Sequence, residues 1–232
     1  MPGLLKKTLF SLASIISFTS ALLLFVALAT QKWMSGKILC ITGAELVNAS
    51  NPELVKFLGD IQYGLFHGSK VRRCGLGMRQ SKFSIFPQLV KKLNAALHVM
   101  IILFLCVAIV FALVSFGFCI YNAVKVPYRS VRGPKGIHLW NIVAGLFVVL
   151  AVVSFIAAVK KHHLTERIAN FSESAFQYLI LEEQYRSSFW LCVASAAAHA
   201  LNLLVVAITS IDFPEFKPKT EEVTVTAEDL MY

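Results

Sequence analysis

Four stretches of this chain carry no Asp, Glu, Lys or Arg: 8–31, 93–124, 136–159 and 187–211. Each exceeds the ~20 residues that an α-helix needs to cross a ~30 Å hydrocarbon layer. No proline interrupts 8–29, 98–120, 138–159 or 189–209, and these are read as transmembrane helices. The remainder divides into a terminus at 1–7, a long loop at 30–97, a short loop at 121–137, a third loop at 160–188 and a tail at 210–232. Within the third loop, Leu164, Ile168, Phe171, Ala175 and Leu179 recur every three or four residues, a helical spacing. That spacing predicts a largely helical 160–187, with the third span projecting beyond the bilayer to pack on the first loop.

Composition agrees with this layout. Of 232 residues, 57% are hydrophobic, and the mean hydropathy is +0.69. A soluble chain of this size has too little interior to hide that much apolar surface. The net charge of +9 is not a nucleic-acid signature here, because most of the excess lies in the long loop. There it would face acidic proteins or heparan-like chains.

Topology follows from several signals. Lys6 and Lys7 precede the first span, and Lys125, Arg129, Arg132 and Lys135 lie between the second and third with no acid among them. Both favour the cytoplasm under the positive-inside rule. Loop 30–97 is also basic, but loops beyond ~60 residues escape that rule. Its sequon Asn48-Ala49-Ser50 and its cysteines Cys40 and Cys74 place it outside. Both termini are therefore assigned to the cytoplasm and loops 30–97 and 160–188 to the exterior of the plasma membrane. Ala27-Leu28-Ala29 looks like a signal-peptidase site, yet the apolar run before it is longer than the 7–15 residues of a signal-peptide core. The first segment is read as an uncleaved span.

The long loop from Trp33 to Cys74 is rich in glycine and reads as a small folded cap. Cys40 and Cys74 are its only cysteines, so they are expected to form a disulfide, closing a loop of about 35 residues worth ~3–4 kcal/mol in the chain-entropy model. Asn48 is the expected glycosylation site. The second sequon, Asn170-Phe171-Ser172, is a poor acceptor in a membrane-proximal helix. Cys106 and Cys192 are expected to be small apolar fillers within spans, and Cys119, near the inner end of the second, is a candidate for palmitoylation.

Trp33, Trp140 and Trp190 stand at span ends and are expected to anchor at the interface, as are Tyr121 and Tyr128. Small residues at Ala13, Ser17 and Ala21, and at Ala194, Ala198 and Asn202 with Ser195 and His199 on an adjoining face, predict close helix packing. His199 is the one ionisable side chain at depth. With no acid in any span, an interhelical hydrogen bond is expected of it rather than a proton relay. His162, His163 and Glu166 resemble metal ligands only by spacing, and a solvated charged helix accounts for them. No metal, cofactor or catalytic residue is expected. There is no Cys-x-x-Cys, no buried acid–base pair and no nucleotide-binding loop. The tail ends in Asp229-Leu230-Met231-Tyr232. Leu230 and Tyr232 would share one side of an added strand, the arrangement a PDZ domain reads beside a free carboxylate.

A Trp after the first span, a Gly-Leu-aromatic run, two loop cysteines and four spans resemble the broad claudin and peripheral-myelin-protein class. The claudin order, Gly-Leu-Trp followed closely by two cysteines, is not kept, because Phe66 replaces the Trp and Cys40 and Cys74 flank the run. The chain more closely resembles the clarin family, and within it the second paralogue. The resemblance rests on Ser35 to Cys40, Thr42-Gly43, Leu46 to Ser50, Gln62 to Gly68, Cys74 to Gly77, His162-His163-Leu164, Ile168-Ala169-Asn170, Ser188-Phe189-Trp190 and Thr224 to Tyr232. It implies an all-α membrane protein, claudin-like: a left-handed four-helix transmembrane bundle with a small antiparallel β-sheet cap on the helix ends. It also implies a non-enzymatic tetraspan of the stereocilia of sensory hair cells, supporting mechanotransduction and bundle upkeep in hearing. Implied partners are membrane lipids, other membrane proteins such as a mechanotransduction channel complex, and a PDZ scaffold. Two other functions stay open: an auxiliary subunit of a channel or receptor, and a claudin-like junction protein.

Overall fold

The structure is a computed structural model, and it describes residues 4–50, 52–75, 77–86, 95–125, 133–171 and 175–209. Tyr128, Leu230 and Tyr232 lie outside the described residues. Among the described residues four helices are long and apolar enough to cross a membrane. They are α1 (Leu4–Ala29), α3 (Ala95–Val124), α4 (Pro134–Lys160) and α6 (Ser187–Thr209), with the short helices α2 (Ile41–Leu46) and α5 (Leu164–Ala169) between them. α1 packs against α3 and α6, and α4 packs against the same two, so the bundle is a closed square of antiparallel neighbours. The lipid-facing sides are apolar, with Leu103, Val110, Leu146, Val153 and Leu204 among the exposed residues.

One antiparallel sheet caps the end where α1 finishes and α3 begins. Its strands are β1 (Met34–Cys40), β2 (Leu58–Tyr63), β3 (His67–Arg73), β4 (Met78–Ser84) and β5 (Tyr178–Tyr185). Their spatial order is β4-β3-β2-β1-β5. β1 alternates buried and more exposed positions along its length, which is the period-2 pattern of a strand with one face packed and one wetted. The packed face sets Met34, Ile38, Ile61 and Tyr63 against Leu164, Ile168 and Ala169 of α5 and against the upper ends of the spans in one apolar core.

The third loop departs from the helical expectation. α4 ends at Lys160, α5 is six residues long, and Tyr178–Tyr185 is strand β5. It pairs with β1 over Met34↔Tyr185 to Cys40↔Tyr178, with a register shift between Lys37 and Ile38. Leu164 and Ile168 do share the buried side of a helix, but Leu179 belongs to the strand. The open edge of β1 supplies backbone partners that a solvated helix extension lacks, and β-sheet pairing prevails over local periodicity.

Two tryptophans also differ from the anchor reading. Trp33 is fully buried, donates its indole N–H to the Ala27 carbonyl at 2.7 Å, and packs on Phe155 with ring centroids 4.8 Å apart. Trp140 is half-buried and stacks on Phe111 and Phe118. Trp190 and Tyr121 are exposed at helix ends.

Candidate functional site

Two constructions tie the cap to the bundle and the spans to one another. The first is the run Tyr63-Gly64-Leu65-Phe66 at the β2–β3 turn. Tyr63 and Thr165 share a hydrogen bond of 2.8 Å between their hydroxyls. Tyr63 is fully enclosed, and burial pushes its phenol well above the ordinary tyrosine range, so the neutral hydroxyl is held there. Gly64 lies so close to α1 that a Cβ on it would fall 2.5 Å from the Thr30 carbonyl oxygen. Leu65 is buried, and its carbonyl receives a hydrogen bond of 2.6 Å from His98 Nε2 at the start of α3. Phe66 stacks on Phe86. Each of four consecutive residues thus touches a different part of the chain.

Cys40 and Cys74 are joined as a disulfide with their Cα atoms 5.5 Å apart. The bridge ties the end of β1 to the β3–β4 turn, where Gly75 and Gly77 adopt φ of +88° and +85°, values that favour glycine. Close by, Lys70 is buried, donates to the Ala169 carbonyl at 2.8 Å, and sits over the Tyr178 ring. Asn48 is exposed, with φ of +46°. Asn170 is engaged instead: its amide donates to the Tyr178 carbonyl at 3.0 Å, and its Oδ1 accepts from the Tyr178 N–H at 2.8 Å. That two-point clamp starts β5, and with a further bond to the Glu166 carbonyl it engages the Asn170 amide within the fold.

The second construction lies inside the bundle. An apolar core under the cap includes Leu24, Leu105, Val148 and Cys192. A separate apolar core at the far end comprises Phe10, Ala13, Cys119, Ile137, Val205 and Val206. Between them every spanning helix turns polar at one level. Ser20 Oγ lies 2.8 Å from His199 Nε2 and 2.6 Å from Ser195 Oγ. His199 Nδ1 lies 3.0 Å from Asn141 Oδ1. Asn141 Nδ2 donates to Ser115 Oγ at 2.7 Å, and Ser115 Oγ is 3.2 Å from Ser17 Oγ. Asn202 Nδ2 closes the ring by donating to Ser17 Oγ at 2.6 Å and to Asn141 Oδ1 at 3.1 Å.

The network assigns the tautomer of His199. Asn141 spends its N–H groups on Ser115 and on the Ile137 carbonyl, so its oxygen accepts from His199 Nδ1–H. Nε2 then accepts from the Ser20 hydroxyl, and the imidazole is neutral with both nitrogens used. No carboxylate takes part, so the seam has no fixed charge to drive a proton across it. It orders the four helices: lipid tails are as apolar as leucine, so apolar contact alone specifies no partner or rotation. Gly145 of α4 faces His199 of α6 at this level, where a Cβ would make an ordinary contact at 3.4 Å.

Ser17, Ser195, His199 and Asn202 stand among the residues expected to pack the spans, and all are buried. Ala194 is exposed and Ala198 only half-buried, so the packed face of α6 is the one carrying Ser195 and His199. Ser20, Ser115 and Asn141 escaped the sequence reading. Their signal was a polar side chain at depth in every span. Cys119 faces the interior beside Ser115 and Ser17, which removes the palmitoylation reading. Cys192 is a core filler, whereas Cys106 is exposed on α3. Among the described residues no three of His, Cys, Asp and Glu gather as metal ligands, and His162, His163 and Glu166 are not brought together as such a group.

Four apolar helices, a polar seam and a disulfide-bonded sheet on one end define a claudin-like tetraspan, a multi-pass membrane protein. Residues 5–206 match the family model described as Clarin-2-like. The chain is 63% identical to Homo sapiens Clarin-2 over 232 residues, 100% of both chains. It is 43% identical to Homo sapiens Clarin-1 over the same full lengths. Against Homo sapiens Clarin-3 it is 30% identical over 211 residues, 90% of this chain and 87% of that one. The chain belongs to the clarin family.

Proposed function

We propose that this protein is a non-enzymatic plasma-membrane tetraspan that organises or maintains the stereocilia of sensory hair cells and supports mechanotransduction there. The observation that carries the reading is end-to-end similarity to Clarin-2, at 63% identity with neither chain overhanging the other. The described architecture fits a scaffold. The polar seam joins all four spanning helices through their own side chains, with Asn202 Oδ1 left without a partner, and the cap presents a polar sheet face with Lys37, Asp60 and Glu182 in one row.

In this reading the cap is extracellular and both termini are cytoplasmic. A disulfide belongs to an oxidising compartment, and the exposed Asn48 beside it is the glycan acceptor. Partners would be other membrane proteins, a mechanotransduction channel complex among them, with a PDZ scaffold at the tail. The test is rescue in hair cells lacking the endogenous protein. The wild-type chain restores bundle height and transduction current, and Cys40→Ser does not. A wild-type chain that reaches the bundle surface yet restores neither would sink the proposal.

A further inference from the structure

The sheet ends in two edges, β4 and β5. Among the described residues neither pairs with a further strand. An unpaired edge is a template for another strand, and proteins normally blunt or cover it. These two edges differ in sign. β4 contains Arg79 and Lys82 and no acid, whereas β5 contains Glu182 and Glu183 and no base.

The register levels the two edges with each other. Glu182 pairs with Lys37, Lys37 with Asp60, Asp60 with Val71, and Val71 with Gln80. Gln184 connects in the same way through Ser35, Gln62 and Ser69 to Lys82. Farther from the bundle, Leu179 pairs with Leu39 and Leu39 with Leu58, while Arg73 pairs with Met78. Continuing the β2–β3 pairing by two residues joins those rows. On the sheet face away from the helices, Leu179, Glu182 and Gln184 are therefore level with Met78, Gln80 and Lys82. Leu179 is 46% and Met78 67% exposed, an apolar pair that neither edge covers.

Both β4 and β5 run toward the bundle. Two copies standing the same way up in one bilayer bring β5 of one beside β4 of the other as a parallel pair. Each level then matches: leucine with methionine, carboxylate with amide, amide with ammonium, and Glu182 diagonal to Lys82 within reach of long side chains. Pairing β4 with β4 would oppose Arg79 and Lys82 to their own copies, and pairing β5 with β5 would gather four carboxylates. We propose that this chain associates with itself side by side, β5 of one copy extending its sheet onto β4 of the next. Glu182 and Glu183 already contact Lys37 and Lys160 within the chain. The Lys37–Glu182 pair is exposed on both sides, and such pairs contribute little and exchange readily for the neighbour's bases. The contact is heterologous, so it continues as a row or closes as a ring.

The experiment co-expresses two differently tagged copies in mammalian cells, one Gln80→Cys and the other Glu182→Cys, and oxidises the membranes. Paired strands bring Cα atoms within the roughly 4.4–6.8 Å of a disulfide. A reducible dimer carrying both tags is expected, and none when both copies carry the same substitution. Met78→Cys with Leu179→Cys repeats the test without touching a charge. In that second pair, Arg79→Glu with Lys82→Glu on one copy should lower the dimer about tenfold. Glu182→Lys with Glu183→Lys on the other should restore it. Only chains with the Cys40–Cys74 bridge are scored. No dimer from either pair, equal yield from like substitutions, or capture of a different protein in place of the second copy overturns the proposal. The readout needs no hair cell, so it stands apart from the proposed function.

Discussion

Trp33 in the cap and His199 in the bundle are both closed off from their surroundings, for different reasons. Water drives Trp33 inside, and burying its large ring under the sheet is favourable in itself. Nothing drives His199 inward from lipid as an apolar residue. It goes there because each of its nitrogens finds a partner on another helix, and lipid offers none. The cap is thus built as a small soluble domain, with an apolar face, close glycine contacts and a disulfide. The bundle is built around hydrogen bonds that would be ordinary in water and are selective in hydrocarbon. Damage to the cap should therefore cost stability outright, while damage to the seam should cost helix order.

The largest effect should follow removal of the bridge. Cys40→Ser is expected to lower cap stability by about 2–5 kcal/mol and to hold the chain in the secretory pathway. Surface biotinylation with reducing and non-reducing gels checks this, and normal delivery with no mobility difference contradicts it.

Gly64→Ala forces a methyl against the Thr30 carbonyl, only 2.5 Å away. Overpacking of this kind costs about 1–3 kcal/mol. A fluorescence-detected melting curve in detergent should shift downward for this variant. Gly117→Ala, whose added carbon meets nothing within 4 Å, serves as the control, and equal shifts for the two would refute the clamp.

In the seam, His199→Leu removes one hydrogen bond each from the Ser20 hydroxyl and the Asn141 oxygen, which keep only Ser195 and Asn202 as partners. Interhelical hydrogen bonds in membranes measure about 0.6–2 kcal/mol. The single variant should lose that much, and His199→Leu with Ser20→Ala should lose less than the sum of the two singles, because both remove the same Ser20–His199 bond. A double variant worse than the sum of its singles would mean that the network does not work as drawn.

Glycan occupancy distinguishes the two sequons at little energetic cost. Asn48→Gln should abolish a glycosidase-sensitive mobility shift, while Asn170→Gln should leave it intact and destabilise β5. A shift that survives Asn48→Gln would place the glycan elsewhere. The weakest expected effect is at the tail. A ten-residue C-terminal peptide should bind at least one PDZ domain more tightly than ~100 µM, and amidation or Tyr232→Ala should abolish it. Binding unaffected by amidation would assign the tail another use.

Much of this was legible along the chain. The charge-free stretches at 8–31 and 93–124 announce spans because lipid excludes charge wherever the fold places it. Cys40 and Cys74 were a pair by elimination within one loop. The clamp at Tyr63 to Phe66 was visible as a motif, but its four separate partners were not. β5 was misread because Leu164 to Leu179 keeps helical spacing, and only the free edge of β1 explains why the chain extends there.

What the sequence by itself determined is the partition of the chain between lipid and water, the family and the cysteine pair. These depend on transfer free energies and on residue identity, which are local. Tertiary structure alone decided that Trp33 is core rather than anchor, that Cys119 faces inward, and that Ser20, Ser115, Asn141 and His199 meet at one level. Each of those depends on the rotation of a helix or the register of a strand. Hydropathy is nearly uniform around these spans, so it carries no such angle. The partners on neighbouring helices set it.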